Sequence, residues 1–244
     1  MHSVAGGAKE SVSEALKLFY EAIELDPDFA AAYGMAAWCF VVRKNYGWMT
    51  DATKEIEEVE RLAREAARLA KDDAVALYTG GFALARITGY LDAGTTLIDR
   101  ALALDPNLAA AWHLSGWVRI FLGKPETAIE HMVRAMRLNP FDPFIFGIQN
   151  GTAAAHFLAR RYEEASVWAE KALGEHPNYS PALRMAAASH AFAGRHAAAQ
   201  KAMARMRQID PEMRCSNLAD VVPFRAPEDF ARYVDGLRAA GLPE

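Results

Sequence analysis

The residues Asn107–Pro140, NLAAAWHLSGWVRIFLGKPETAIEHMVRAMRLNP, carry the pattern that decides the fold. Gly116 lies in the first half of this stretch, and Ala128 and Ala135 lie in the second half. Gly123 separates the halves, and glycine readily adopts the left-handed backbone that ends a helix. Small side chains let two helices cross closely. The stretch therefore predicts two helices that meet in a turn at Gly123 and pack against each other.

The same pattern recurs along the chain with a nearly constant period. Pro106 and Pro140 are 34 residues apart, the next step to Pro177 is 37, and the step to Pro211 is again 34. Matching positions hold mostly small residues: Ala37, Gly81, Gly116, Ala153 and Ala187 in the first helices, Ala15, Val59, Gly94, Ala128, Ala165 and Ala199 in the second helices, and Gly89, Gly123 and Gly194 at the turns. A period of this length is typical of repeat proteins, in which neighbouring units stack to build one core.

Composition agrees with an all-helical protein. The chain has 244 residues, 52% of them hydrophobic, which is enough to bury a sizeable core. Alanine, the strongest helix former, occurs 49 times. We therefore predict an all-α protein and exclude disordered and collagen-like classes.

Charge, cysteine content and hydropathy exclude several partners and cofactors. The net charge is −4 and no basic run is present, so the chain lacks the positive surface that nucleic acid requires. Cys39 and Cys215 are too few for a disulfide framework, which fits a reducing compartment. The uncharged stretch 29–42 is too short to span a bilayer, and the first ten residues lack the apolar segment of a secretory signal. We expect a cytoplasmic protein that binds no nucleic acid and does not enter a membrane.

The order of residues in each unit resembles the tetratricopeptide repeat. The family's order is an aromatic, a small residue, an alanine, an aromatic, an alanine and a proline. Five of these six places are matched in this unit by Trp112, Gly116, Ala128, Ala135 and Pro140, and the resemblance covers nearly the whole chain. It implies a right-handed α-solenoid of helix-turn-helix repeats with a C-terminal capping helix, and a function in protein binding. The chain departs from the family pattern in two ways. Polar residues stand where the family usually has a large aromatic, namely Arg119, His156 and His190, and extra residues occur around 45–51.

A closer resemblance is to the C-terminal repeat region of alphaproteobacterial proteins that also carry class III adenylate or guanylate cyclase domains or winged-helix regulators. It rests on the blocks Leu18–Ala32, Gly47–Asp51 and Pro223–Glu244. It implies a place in bacterial signal transduction, with the chain acting as a scaffold. Neither a cyclase nor a DNA-binding domain lies in these residues, so the resemblance implies neither activity for this chain.

The repeats predict the division of the chain. We expect a disordered N-terminus over 1–9, a lone helix over 10–25, and a C-terminal capping segment over 212–244. The solenoid covers 10–211, with its repeats at about 28–71, 72–106, 107–140, 141–177 and 178–211. In the last segment, an apolar stripe with helical spacing is expected to pack against the last repeat and close the solenoid: Phe230, Tyr233, Val234 and Leu237.

No arrangement of residues predicts catalysis, a metal or another cofactor. The seven histidines form no His-Glu-x-x-His motif and have no accompanying cysteine pair. We interpret His156 and His190 as residues that pack within helix pairs. Gly80 and Gly81 lack the Lys-Ser or Lys-Thr of a phosphate-binding loop. We expect a protein that is not an enzyme.

The candidate binding residues lie on the groove that first helices would line. One row holds Gly34, Tyr78, His113, Asn150 and Arg184; a second holds Trp38, Phe82, Trp117, Ala154 and Ala188; a third holds Val41, Ala85, Ile120, Phe157 and Ala191. Aromatic residues with a nearby arginine are typical of binding hot spots. We predict a groove for a peptide or partner segment lined by Trp38, Tyr78, Phe82, His113, Trp117, Asn150, Phe157 and Arg184. The alternative is that these rings only pack neighbouring first helices together.

The lone helix 10–25 suggests a second function. It corresponds to a second helix without its first partner, so its apolar face would be covered on one side only. Burying a large apolar side chain is worth about 1.5–3 kcal/mol, so this face should be covered. We expect either a longer natural chain or a homodimer that pairs through Leu16, Phe19 and Ile23. Structural homodimerisation is therefore the alternative to partner binding.

Overall fold

The structure is a computed structural model that describes the backbone of residues 2–220 and 222–244 and the side chains of residues 8–219 and 222–244. Within these ranges the chain forms twelve α-helices, one π-helical turn and one 3-10 helix, with no strand. The prediction of an all-α fold is confirmed. The helices are α1 His2–Leu25, α2 Ala30–Asn45, α3 Ala52–Leu69, α4 Ala74–Ala83, α5 Leu91–Leu104, α6 Ala109–Phe121, α7 Pro125–Leu138, α8 Ile145–Leu158, α9 Tyr162–Glu175, α10 Ser180–Phe192, α11 His196–Ile209 and α12 Pro227–Ala239.

The chain divides into two compact units, residues 1–118 and 119–244, and α6 runs across the division. In the first unit, α2 packs against α1, α3 and α4, and α4 packs against α3 and α5. In the second unit, α8 packs against α7 and α9, and α10 packs against α9, α11 and α12. In both units a first helix contacts its own second helix and the second helix of the preceding copy. This is the stacking by which repeat proteins build a continuous core.

Small residues stand where the helices cross, as the repeat pattern predicts. A Cβ atom at Gly94 in α5 would lie 2.4 Å from the carbonyl oxygen of Gly81 in α4 and 2.7 Å from the Cβ atom of Ala85. The two backbones are therefore in direct contact. In the second unit the corresponding contacts are made by fully buried alanines: Ala153, Ala165, Ala172 and Ala187.

Left-handed residues end the first helices. Gly89, Gly123 and Gly194 have φ values of 78°, 69° and 73°, in agreement with their predicted place in the turns. At the turn between α8 and α9 the left-handed residue is Arg160, with φ of 60°. Before Gly89, α4 continues as the π-helical turn Leu84–Thr88, which no local sequence signal predicted.

The extra residues around 45–51 form a loop that is tied to α3 by one carboxylate. Glu55 Oε1 accepts hydrogen bonds from the backbone N–H of Thr50 at 2.9 Å and from the Thr50 hydroxyl at 3.1 Å. It also accepts from Arg43 Nη2 at 2.9 Å. At the loop tip, the rings of Tyr46 and Trp48 stack with their centroids 4.7 Å apart. The insertion is therefore an ordered loop, and Glu55 links it to both α2 and α3.

The N-terminal end of the chain differs from the expectation. We expected residues 1–9 to be disordered, but α1 begins at His2, and Met1 lies outside the described residues. Extending an existing helix adds one backbone hydrogen bond for each residue that is fixed, so the packed part of α1 can propagate outward in spite of two glycines. At the other end, α12 packs against α10, the first helix of the last repeat.

No helix among the described residues is both long enough and apolar enough to cross a membrane.

Candidate partner-binding surface

In the first unit, the predicted groove residues form two aromatic pairs. Trp38 on α2 and Phe82 on α4 have ring centroids 5.8 Å apart with their planes tilted by 47°. On α6, the indole Nε1 of Trp117 donates a hydrogen bond to Nε2 of His113 at 3.1 Å. This bond fixes the Trp117 ring and requires the neutral tautomer of His113 that leaves Nε2 as an acceptor. The two pairs are therefore held in defined orientations by their own helices.

These residues differ in burial: four of them keep some exposure to solvent and one does not. Trp38, Tyr78, His113 and Trp117 are half-buried, whereas Phe82 is buried. Burial, reinforced by the charge of Asp73, raises the pKa of Tyr78. We call Trp38, Tyr78, Phe82, His113 and Trp117 the aromatic row. The alternative interpretation was that the rings only pack neighbouring first helices together. Phe82 fits this alternative because it is buried, whereas the other four residues keep part of their surface exposed to solvent.

In the second unit, the predicted groove residues are buried by the chain itself. Asn150 and Phe157 on α8 and Arg184 on α10 are all buried. Tyr233 of α12 stands edge-on to Phe157, with the ring centroids 5.9 Å apart, and burial raises the pKa of its hydroxyl although the charge of Arg184 opposes this rise. Phe157 and Arg184 are therefore covered by the terminal helix in this conformation. Only the first-unit members of the predicted groove keep surface for a partner.

The contribution of α12 to this surface was missed at the sequence level. The apolar stripe of α12 predicts packing against the last repeat, but it does not predict that α12 covers the groove residues Phe157 and Arg184. A signal was present in the second row of groove positions, where Trp38 and Phe82 give way to Ala154 and Ala188. Small side chains on an inner helix face leave room for another helix to approach closely.

A polar network fixes the turn between α10 and α11. His190 Nε2 lies 3.0 Å from Glu170 Oε1 of α9, and Arg195 Nε donates to His190 Nδ1 at 3.0 Å. Arg195 also bonds to Glu163 and to the hydroxyl of Ser166. His190 therefore joins neighbouring repeats, in keeping with its interpretation as a packing residue. His156 is half-buried, and burial lowers its pKa.

The predicted dimer surface is only partly exposed. Leu16, Phe19 and Ile23 are half-buried on α1, which packs against α2. The exposed apolar side chains of this helix are instead Leu18, at 53%, and Leu25, at 88%. Tyr20 faces α3, where its hydroxyl donates to Glu58 Oε1 at 2.7 Å, and burial together with this bond raises its pKa.

Among the side chains that the structure describes, no group of three or more His, Cys, Asp or Glu residues could hold a metal ion. Cys39 and Cys215 are free thiols, and burial raises the pKa of Cys39 to about 11. A thiol with a raised pKa is a poor nucleophile at neutral pH.

Comparisons with known proteins agree with this geometry. A family model described as a tetratricopeptide repeat matches residues 109–142, which contain α6 and α7. No curated protein sequence matches the chain.

Three solved structures show the same fold at low sequence identity. The APC/C hetero-tetramer Cut9–Hcn1 is 16% identical with a TM-score of 0.70, over 95% of this chain and 40% of that chain. PilW, a widely conserved type IV pilus biogenesis factor, is 14% identical with a TM-score of 0.61, over 77% of this chain and 82% of its own. YrrB, a tetratricopeptide protein with an unusual peptide-binding site, is 18% identical with a TM-score of 0.51, over 80% of this chain and 93% of its own. The chain thus contains a tetratricopeptide repeat, and its fold is that of tetratricopeptide solenoids.

Proposed function

We propose that the chain is a non-catalytic protein-interaction module that binds a partner segment along the aromatic row. The observation that carries this proposal is that Trp38, Tyr78, His113 and Trp117 remain half-exposed, while the corresponding residues of the second unit are buried. Tryptophan and tyrosine are enriched in binding hot spots because they bury a large area at low entropic cost. YrrB supports the proposal, since it combines this fold with a peptide-binding site.

The chemistry of the aromatic row indicates the kind of partner. The row offers ring faces and edges and no cluster of lysines or arginines, so it suits an extended or helical segment with apolar anchors. The net charge of −4 favours a protein over a nucleic acid as the partner. The two free thiols are consistent with a reducing compartment, and we place the protein in the cytoplasm.

Replacing Trp38 or Trp117 with alanine tests this proposal. We expect each substitution to weaken partner binding about tenfold, or about 1.4 kcal/mol, because each removes one anchoring ring. Partners would be captured on the immobilised chain, identified by mass spectrometry, and their affinities measured by titration calorimetry.

The matched control for this experiment is Trp168→Ala. Trp168 lies on α9 in the second unit and stacks with Lys171, whose Nζ is 4.1 Å from the ring centroid. It is a half-buried tryptophan outside the aromatic row. A partner that binds the Trp38, Trp117 and Trp168 variants with equal affinity would show that the aromatic row is not the binding surface.

A place in bacterial signal transduction is a further part of the proposal. It rests on the resemblance to repeat regions that accompany cyclase and winged-helix domains, and the comparisons with known proteins add no support for it. The gene and its neighbours provide the test. A cyclase or winged-helix domain encoded in the same or an adjacent reading frame would support the assignment, and unrelated neighbours would argue against it.

Homodimerisation through α1 is the second candidate function, and the exposure of Leu18 and Leu25 favours it. We expect Leu18→Asp to convert a dimer into a species of 26.8 kDa, because a carboxylate would be buried in the paired surface. Light scattering coupled to size exclusion measures the mass. Lys17→Asp, at the neighbouring exposed position, provides the control for added charge. A wild-type chain that is already monomeric over the full concentration range would exclude this function.

A further inference from the structure

The terminal helix α12 occupies the face of the second unit that corresponds to the predicted groove. A Cβ atom at Gly236 would lie 3.0 Å from the Cβ atom of Ala188 and 3.0 Å from Cε2 of Phe192, so the backbone of α12 touches α10 directly. Tyr233 is only 2% exposed, and its ring packs edge-on against Phe157. We call Phe157, Arg184, Ala188 and Phe192 the terminal-helix site.

The terminal-helix site matches a helix with a particular spacing of anchors. Tyr233, Gly236 and Leu237 follow one another at three and four residues, so they lie on one face of α12. Leu237 is fully buried, and Gly236 lies where a side chain would collide with Ala188. The site therefore requires an aromatic residue, a small residue and an aliphatic residue in the order Tyr-x-x-Gly-Leu.

Arg184 shows that α12 leaves part of this site unsatisfied. Its side chain is 7% exposed, and its hydrogen-bond partner among the described residues is the hydroxyl of Ser180, at 3.0 Å. Its Nε has no hydrogen-bond partner, and neither has the buried Oδ1 of Asn150 on α8. Burying a cation without a carboxylate is costly. A ligand that offers Arg184 a further acceptor would therefore bind this site more favourably than α12 does.

The connection to α12 contains little regular structure, so α12 is not continuous with the helices of the repeats. The described residues between α11 and α12, 210–220 and 222–226, contain no α-helix and only the 3-10 helix Cys215–Asp220. Backbone hydrogen bonds and two buried side chains hold the segment: Arg225 N–H donates to Phe121 O at 2.8 Å, Cys215 N–H donates to Pro243 O at 2.8 Å, and Met213 and Leu218 are buried.

We propose that the terminal-helix site is a docking site for an amphipathic helix of a partner protein, and that α12 is its occupant in cis. The partner helix carries the Tyr-x-x-Gly-Leu anchors of α12 and offers Arg184 an additional acceptor such as a carboxylate. Recognition follows the helix-in-groove mode, in which anchors at i, i+3 and i+4 enter an apolar face. This site belongs to the second unit and does not depend on the aromatic row for its function.

A switchable variant tests the proposal on the full chain. Ala188→Cys and Gly236→Cys would be combined in a Cys215→Ser background. Two Cβ atoms 3.0 Å apart need to separate only slightly for a disulfide, whose Cβ atoms lie about 3.5–4.5 Å apart, so the oxidised form holds α12 in place. In the reduced form, the two sulfur atoms must move apart from their bonded separation of about 2.0 Å, which pushes α12 away from α10.

The probe is a fluorescent peptide with the sequence of residues 223–244, and its binding is followed by fluorescence anisotropy. We expect the reduced variant to bind the peptide, and the oxidised variant and the wild-type chain to bind it at least tenfold more weakly. The reason is that a tethered α12 competes at an effective concentration of about millimolar. A peptide carrying Gly236→Val should not bind, because the added side chain would collide with Ala188 of the site.

Three results would overturn the proposal. The reduced variant could remain folded and fail to bind the peptide, which would show that the site does not accept a helix in trans. The oxidised and reduced forms could bind equally, which would place the peptide elsewhere. Circular dichroism could show that α1–α11 unfold on reduction, which would make α12 an integral part of the core and not a ligand.

Discussion

We expect Gly94→Ala to lower the free energy of unfolding of the first unit by about 2 kcal/mol. The added Cβ atom would lie 2.4 Å from Gly81 O and 2.7 Å from the Cβ atom of Ala85. The nearest atom belongs to the backbone of α4, so no side-chain rotation relieves the collision, and the two helices must separate. Overpacking typically costs about 1–3 kcal/mol, and alanine recovers about 1 kcal/mol of helix propensity over glycine. Because the collision is with backbone, we place the overpacking cost at about 3 kcal/mol, and subtracting the gain in helix propensity leaves a net loss of about 2 kcal/mol.

Tryptophan fluorescence during urea denaturation measures this loss. Four of the five tryptophans, Trp38, Trp48, Trp112 and Trp117, lie in the first unit, so the signal reports mainly on that unit. The expected change is a lower midpoint with an unchanged slope, because the surface exposed on unfolding stays the same.

Gly174→Ala is the matched control, and it should have the opposite sign. Gly174 lies within α9, and no atom lies within 4 Å of the position of its Cβ atom. We therefore expect the same substitution to stabilise the second unit by about 0.5–1 kcal/mol through helix propensity alone. Circular dichroism follows this unit as well as the first. If both variants were stabilised, the close contact between α4 and α5 would be excluded.

The helix crossings could be predicted from the sequence because they depend on local periodicity. A small residue at a fixed place in each copy, such as Gly81 and Gly94, is visible without knowledge of the fold, and the glycines at the turns are equally local. Stacking of neighbouring copies then follows from the repeat itself. The helical class and the positions of close approach were for this reason correctly predicted.

The sequence predicted that α12 packs against the last repeat, but the helix of that repeat that it contacts could not be predicted in the same way. Its apolar stripe is compatible with any apolar face, and the choice of α10 depends on contacts such as Gly236 with Ala188 that join residues 48 apart in the sequence. The stripe fixes which face of α12 is buried but not which surface covers it. The same limit applies to Glu55, whose role depends on Arg43 and on the course of the loop between them.

Glu55→Ala should lower the free energy of unfolding by about 2–4 kcal/mol. Removing one partner of a buried ion pair typically costs about 3–5 kcal/mol. A somewhat smaller loss is expected here because the Arg43 side chain remains 20% exposed and can recover part of its hydration. The substitution also removes the acceptor for the Thr50 hydroxyl and backbone N–H, so the loop 45–51 loses its link to α3.

Comparison of Glu55→Ala with Glu55→Gln separates the charge from the hydrogen bonds. The glutamine oxygen can still accept from Thr50, so we expect Glu55→Gln to lose less stability than Glu55→Ala and to retain slow amide hydrogen exchange at Thr50. Glu65→Gln provides the control on the same helix, because Glu65 pairs with Arg68 in an ion pair whose side chains are 34% and 63% exposed. Such a surface pair contributes about 0.2–1 kcal/mol at most. Equal, small losses for Glu55→Ala and Glu65→Gln would mean that the loop is held by the stacking of Tyr46 on Trp48 and by its backbone, and that the carboxylate of Glu55 does not join α2 to α3.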